Sequence, residues 1–311
     1  MRKLILTILC VALLAAGSAA MAAADSPHAG TADANAWFAF DSVLLGGYVS
    51  GKWISAENLL ENEEYALSAP RTGLPCSLYG TGGLEGRGAV GAVHREEGGM
   101  IPPWTQAVDV TLPNGTTLGY GTARLAVHSS WNPVPRLLKV MATKNTTYEA
   151  VVGKYLERQG LPNAKPNIVQ LLKIDLEGDG VDEVVLCAQN IVPHDTGAFT
   201  WDMGKPLVGT GIGFPSGSYT GDYSLLLLRK IVNGQVREIP LGQFIALKDG
   251  TPIDGEQVSP FLYKLCQFAD LDGDGVLEII VSEHYYEGYR SQVFTVKGDK
   301  LVRVLVNGSG V

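Results

Sequence analysis

Two short acidic stretches carry the residues whose types and spacing could do chemistry. One begins at Asp175 and reads DLEGDGVDE, and the other begins at Asp270 and reads DLDGDGVLE. In each, carboxylates stand at positions 1, 3 and 5, glycine at position 6 and glutamate at position 9. Oxygen donors at alternate positions around a glycine turn suit Ca²⁺, which takes six to eight oxygens at about 2.3–2.6 Å. The spacing therefore predicts two calcium loops.

The predicted ligands are side-chain carboxylates together with one backbone carbonyl at position 7. The two sets repeat at an interval of 95 residues (270 − 175). Crowded carboxylates repel one another and raise one another's pKa unless a cation lies among them, so the repeat favours metal over a pair of bare acidic turns. The ligands are Asp175, Glu177, Asp179, Val181 and Glu183 in the first loop, and Asp270, Asp272, Asp274, Val276 and Glu278 in the second.

The residues after each loop exclude an EF-hand. An EF-hand carries a bidentate glutamate at position 12, where this chain has Leu186 and Val281. An EF-hand loop also leads into a helix, whereas VDEVVL and VLEIIV are short and rich in β-branched residues. Each loop is therefore predicted to join two β-strands.

On these loops and the strands after them, residues 165–311 resemble the FG-GAP/VCBS family, whose repeats occur in integrin α-chain propellers and many secreted bacterial proteins. The resemblance implies that the loop carboxylates bind calcium and hold a blade hairpin together. Glu177 departs from the Asp or Asn that the family carries at position 3. No FG or GAP signature stands beside either loop.

The C-terminal region contains two copies of one unit, each a strand, a loop, a strand and a hairpin. Val236 and Arg237 match Val302 and Arg303 at an offset of 66, against 95 for the loops, so the first copy carries about 29 extra residues. This insert spans residues 190–221 and contains His194 and Trp201. Two blades cannot close a propeller, which typically has four to eight. The alternatives are a ring completed by N-terminal strands and an open sandwich, which is favoured.

The N-terminus has the features of an export signal. Arg2 and Lys3 precede an apolar run too short to span a membrane, and cleavage is predicted near Ala24, so the mature protein is expected in the periplasm or outside the cell. No other stretch predicts a membrane span. The formal net charge of −8 and the absence of a basic stripe argue against nucleic-acid binding. After cleavage the odd cysteine count favours buried thiols over a Cys187–Cys266 bridge, which stays open.

The whole pattern predicts a mainly β protein with one or two short helices. A flexible leader (25–35) follows the signal peptide (1–24), and an N-terminal β domain covers 36–142. Its glycine-rich part, Gly80 to Gly99, is expected to form loops or tight bends. A connector (143–166) holds a helix with a predicted capping box from Thr146 to Glu149, and the repeat domain covers 167–311.

Two functional classes remain open from sequence. No nucleophile elbow, zinc-protease motif or Cys/His pair is visible, which favours a non-catalytic module that binds an extracellular protein or glycan. The alternative is a secreted polysaccharide hydrolase that uses calcium as a scaffold. The residues considered for partner binding are His194, Trp201, Tyr285 and Tyr286.

Overall fold

The computed structural model describes residues 35–58, 70–95, 106–118, 122, 124–191, 217–249, 260–285 and 288–309. The predicted signal peptide, nearly all of the leader and most of the insert lie outside these residues. The described residues form sixteen β-strands and one α-helix, which confirms the mainly β class. No helix among them combines the length and apolar character needed to cross a bilayer.

The N-terminal part of the chain forms a small β-barrel. Its strands are β1 Ala36–Phe40, β2 Val43–Val49, β3 Lys52–Ser55, β4 Pro75–Gly80, β5 Gly83–Arg95, β6 Gln106–Thr111 and β7 Leu125–His128. They pair in the order β1-β7-β4-β5-β6-β2-β3, and a β1–β2 pairing closes the first six into a ring. Alternate side chains, including Leu44, Leu78 and Val110, fill the interior.

Strand β5 corrects the expectation of loops in the glycine-rich region. This strand runs for 13 residues and pairs with β4 on one side and β6 on the other. A Cβ at Gly88 would lie 2.9 Å from the carbonyl oxygen of Thr111, and one at Gly91 would lie 2.8 Å from the Cβ of Asp109. Glycine is therefore used here for close packing against the neighbouring strand, which a composition argument cannot separate from turn formation.

The two repeat units each fold as a four-stranded antiparallel meander. In both, the acidic loop joins the first strand to the second. A short strand, β8, adds to the edge of β9 in the first unit. The strands are β8 Lys139–Val140, β9 Ile168–Ile174, β10 Glu183–Asn190, β11 Tyr223–Val232, β12 Gln235–Ile245, β13 Leu262–Ala269, β14 Glu278–Tyr285, β15 Gly288–Lys297 and β16 Lys300–Ser309.

The sheets stack in layers, with the second meander in the middle. Apolar side chains of β9–β12 pack against one face of that meander, where Val281 lies. Barrel side chains such as Phe38 pack against the other face, where Ile280 lies. All eight residues of β14 are buried because both faces of its sheet are covered. Among the described residues, the barrel strands form no ladder with either meander, so they do not extend the repeat as further blades.

The helix, α1, covers the outer face of the first meander. It spans Thr146–Arg158 and buries Val152 and Leu156 against β9–β11. Its N-cap is Asn145, whose side chain accepts a hydrogen bond from the Tyr148 backbone, so the predicted capping box one residue later is wrong. Asparagine caps a helix as well as threonine does. The extended backbone of Asn145 makes this residue, and not Thr146, the N-cap.

The strand pairings set the relation between the two units. Val232 pairs with Gln235 and Lys297 pairs with Lys300 across the two hairpin turns, so the hairpins match at an offset of 65 (300 − 235). The offset of 66 from sequence similarity is therefore one residue too large. The first unit carries 30 extra residues (95 − 65) between its second and third strands.

The three cysteines of the described residues, Cys76, Cys187 and Cys266, are free thiols. Cys187 lies between the two meanders, and Cys266 lies on the side of the second meander that faces the barrel. The open possibility of a Cys187–Cys266 bridge is thus not realised.

Candidate metal centre

The second loop brings three carboxylates together at the junction of β13 and β14. Asp270, Asp272 and Glu278 each place an oxygen within 4.8 Å of the other two. Ligands at about 2.3–2.6 Å on opposite sides of a calcium ion would stand about 4.6–5.2 Å apart. The three oxygens therefore lie within the reach of one such ion.

Backbone hydrogen bonds to the first carboxylate curl this loop. Asp270 accepts from the backbone N–H of Gly273 at 2.8 Å and of Gly275 at 3.1 Å. Both glycines have positive φ, +78° and +88°, which a side chain would resist. Asp274 accepts from the Val276 backbone at 2.8 Å, so the loop is ordered by its own side chains.

Glu278 carries an unsatisfied oxygen in this site. Only 1% of Glu278 is exposed to solvent. One oxygen, Oε2, accepts from the Leu271 backbone at 2.7 Å, while the other, Oε1, is buried with no hydrogen-bond partner. A buried acceptor without a partner costs about 1–3 kcal/mol, and more when charged. A cation between the three carboxylates would remove this cost.

The protein raises the pKa of all three carboxyl groups. Burial is the main cause for Glu278, whose pKa lies well above its usual range, and the charge of Asp272 adds to it. Burial, followed by the charge of Asp274, raises the pKa of Asp272 to about 6. Burial also raises the pKa of Asp270. A bound cation would reverse this balance and favour the ionised forms.

The segment between the barrel and the first meander supports the loop from outside. The indole Nε1 of Trp131 donates to the Asp270 carbonyl at 2.8 Å, and the Asp270 N–H donates to the Pro133 carbonyl at 2.7 Å. The Arg136 guanidinium donates to the Gly275 carbonyl at 2.7 Å. Sequence reasoning missed these residues, since nothing in the local pattern around Trp131 or Arg136 indicates a loop that lies 139 positions away.

Arg136 also holds the first loop. It donates to the carbonyls of Asp175 at 2.7 Å and Leu176 at 3.0 Å. The two loops contact each other directly, because the Leu277 N–H donates to the Leu176 carbonyl at 2.9 Å. One guanidinium, in the segment that follows the barrel, therefore holds both loops.

The barrel contributes Tyr48 to the surroundings of the site. Burial raises the pKa of its phenol, and the charges of Asp272, Asp274 and Glu278 raise it further. The ring packs against Trp53 at a centroid distance of 4.9 Å. Tyr48 packs against the apolar cluster that contains Ala269 and Leu271, the chain neighbours of Asp270, so the barrel lies beside this loop.

The first loop repeats the backbone scheme of the second with different charge partners. Asp175 accepts from the backbone of Gly178, Asp179 and Gly180 at 2.7–3.1 Å, and Glu183 accepts from Leu176 at 2.9 Å. Within the described part of the chain, however, the three-carboxylate group occurs in the second loop and not in the first.

A buried lysine pairs with the third position of the first loop. The Lys230 Nζ lies 2.7 Å from Glu177 Oε1, and only 2% of the Lys230 side chain is exposed. Burial raises the pKa of Glu183, backbone hydrogen bonding and Lys230 lower it, and Glu177 raises it. A protein cation therefore already stands among these carboxylates.

The remaining predicted residues divide into three groups. Asp274 is exposed and contributes charge from outside the group of three, and Val181 is 42% exposed at the first loop. Tyr285 is only 7% exposed, with its ring 5.4 Å from that of Phe261, so its position is one of core packing. His194, Trp201 and Tyr286 lie outside the described residues.

Comparison with protein-family models, with curated proteins and with solved structures gives no match to this chain.

Proposed function

We propose that this protein is an exported calcium-binding repeat protein of the FG-GAP/VCBS type, a non-catalytic interaction module whose calcium is structural and lies in the second loop. The observation that carries the proposal is the buried, unpartnered Oε1 of Glu278 beside the carboxylates of Asp270 and Asp272. Two four-stranded meanders, each with its acidic loop between the first and second strands, support the repeat assignment.

The donor set favours calcium among the common ions. All three side chains offer carboxylate oxygens, the ligands preferred by hard cations, whereas zinc and copper sites draw on imidazole and thiolate. Calcium accepts the irregular geometry of a curled loop, while Mg²⁺ demands a near-ideal octahedron at about 2.0–2.1 Å. Extracellular calcium modules bind at about 10⁻⁴–10⁻³ M, which suits an exported protein.

A structural role follows from where the ligands lie. Asp270 and Glu278 are buried, and the loop is hydrogen bonded to Trp131, Pro133 and Arg136 in the segment that leaves the barrel. An ion here would neutralise the charge that opposes packing of the barrel on the second meander. At a hundredfold excess over its Kd it would stabilise the fold by about 2.7 kcal/mol.

Thermal melting with and without a chelator tests the structural ion. We expect EDTA to lower the Tm of the wild-type protein by about 5 °C or more. Asp272→Ala should lower the Tm in calcium but show no further change on chelation. Asp299→Ala, in the exposed turn of the last hairpin, is the matched control and should respond to EDTA like the wild type. A wild-type melting curve unchanged by EDTA, with no calcium retained on dialysis, would overturn the proposal.

The interaction role is tested separately. The expected partner is an extracellular protein or a glycan, because export and the family resemblance both indicate work outside the cytoplasm. Binding to a glycan array or to an extracellular protein panel, retained with calcium and weakened by EDTA, would support it. Turnover of a polysaccharide by the purified protein, abolished by one carboxylate change outside the loops, would replace it with the hydrolase alternative.

A further inference from the structure

The first loop contains a feature that the second lacks, namely a buried ammonium group beside its carboxylates. Lys230 lies on β11 and pairs with Glu177 at 2.7 Å. The β10–β11 register, in which Val184 pairs with Arg229, places Lys230 next to Glu183, the closing ligand of the predicted cage. The charge of Lys230 also acts on Glu183. Lys230 therefore stands where two of the predicted ligands meet.

The matching position in the second unit is neutral. Val184 pairs with Arg229 in the first unit, and Ile279 pairs with Phe294 in the second. The offset between these third strands is 65 (294 − 229), so Lys230 corresponds to Thr295. Thr295 is half-buried and carries no charge. The Asp270, Asp272 and Glu278 group consequently has no side-chain cation in the position that Lys230 holds.

The residue at position 3 fits this difference. Glu177 is one methylene longer than Asp272, its counterpart, and its Oε1 reaches across to β11 to meet Lys230. Burying a lysine is costly unless the ammonium is paired, and the loop carboxylates supply that pairing. Bringing a divalent ion among the same carboxylates would place it beside the ammonium, where the two positive charges repel.

We propose that the Lys230 ammonium is a built-in cation that takes the charge-balancing role of the ion in the first loop, so that, of the two acidic loops, the second alone binds a divalent ion. This replaces the expectation of two ions. The count of one rests on the proposed metal site at Asp270, Asp272 and Glu278. The role of Lys230 in the first loop does not depend on it.

The proposal is tested by equilibrium dialysis against calcium, after which bound metal per chain is measured. Two variants exchange the residues of the two units at loop position 3 and at the position of Lys230 and Thr295. The wild type should retain one ion. Glu177→Asp combined with Lys230→Thr gives the first unit the residues of the second at loop position 3 and at the facing position of the third strand, and should retain two. Asp272→Glu combined with Thr295→Lys makes the reciprocal exchange at the same two positions of the second unit, and should retain none. Lys230→Arg, which preserves the charge, should retain one.

The outcomes separate this inference from the proposed function. Two ions on the wild type would overturn the built-in cation while leaving a calcium protein. No ion on the wild type would overturn the proposed metal site, and the role of Lys230 would then be decided by whether the first double variant gains one. If that variant does not fold, the Asp272→Glu, Thr295→Lys variant decides. One ion still retained by this second variant would overturn the inference.

Discussion

The two acidic loops differ in how their negative charge is balanced, although their backbones are folded alike. In both, the first aspartate accepts from the N–H groups of positions 4 and 6, and the glutamate at position 9 accepts from position 2. In the first loop Lys230 meets Glu177, whereas in the second Glu278 keeps a buried oxygen without a partner.

The two loops show that backbone shape and charge balance are separate properties of this motif. The spacing of aspartates and glycines determines the curl of the backbone, since each hydrogen bond closes a short ring within the loop. The charge balance of the loop depends on the neighbouring strand, where one position is Lys230 in the first unit and Thr295 in the second. A loop of this kind can therefore keep its backbone shape with a lysine ammonium beside its carboxylates.

The largest contrast should come from removing the charge of the closing glutamate in each loop. Glu278→Gln keeps the hydrogen bond from Leu271 but removes a ligand, and should weaken calcium binding by about 100-fold or more, because even indirect partners of metal ligands change affinity by about 10–100-fold. Isothermal titration calorimetry measures the affinity.

Glu183→Gln is the matched change in the first loop, where the hydrogen bond from Leu176 is kept. It should leave the calcium affinity and the number of bound ions unchanged. Equal losses in the two variants would remove the distinction between the loops.

Arg136 donates hydrogen bonds to both loops, and replacing it should lower the free energy of unfolding. Arg136→Met leaves the carbonyls of Asp175, Leu176 and Gly275 without their charged donor, at a cost of about 2–3 kcal/mol. Chemical denaturation in the presence of calcium gives the free energy of unfolding, and calcium affinity should fall as well because Gly275 belongs to the second loop.

Arg124→Met is the control for this change. Arg124 pairs with Glu85 at 2.7 Å, but both side chains are about 40% exposed, so the loss should be about 0–1 kcal/mol. If the two variants lose equal stability, the bridging role of Arg136 is wrong.

The second strands of the two units differ at one buried position, with a smaller expected effect on stability. His284 in the second unit corresponds to Gln189 in the first (284 − 95). Burial, with a further contribution from Lys264, lowers the pKa of His284 to about 3. Its imidazole lies 2.9 Å from the Ser282 hydroxyl and is stacked on Tyr289. The folded protein therefore holds this histidine neutral.

Because the unfolded chain binds this proton more readily than the folded chain, His284 contributes full stability above about pH 6.5 and loses it as the pH falls towards 3. The loss approaches about 1.4 kcal/mol per pH unit. His284→Gln should flatten the dependence of unfolding free energy on pH across this window, measured by denaturation in EDTA to keep metal binding out of the comparison. Profiles that stay parallel would contradict the expectation.

Much of the local architecture could be predicted from the sequence. The strands on either side of each loop, the hairpins after them and the helix after Asn145 were expected, and their types are confirmed. These elements are encoded by residues close together in the chain, through side-chain periodicity and turn chemistry. The glycine-rich strand β5 could not be predicted in this way. Its glycines allow close packing against neighbouring strands, and those strands come from other segments of the chain.

What the sequence by itself determined is the curl of two acidic loops between strands, because their hydrogen bonds join residues at most seven positions apart. Which loop has a buried lysine beside its carboxylates was decided by the tertiary structure. Lys230 reaches Glu177 across 53 positions, and Arg136 reaches Gly275 across 139. Charge balance in a buried site acts through space, so it depends on strand register and sheet stacking, which a loop's own residues do not contain.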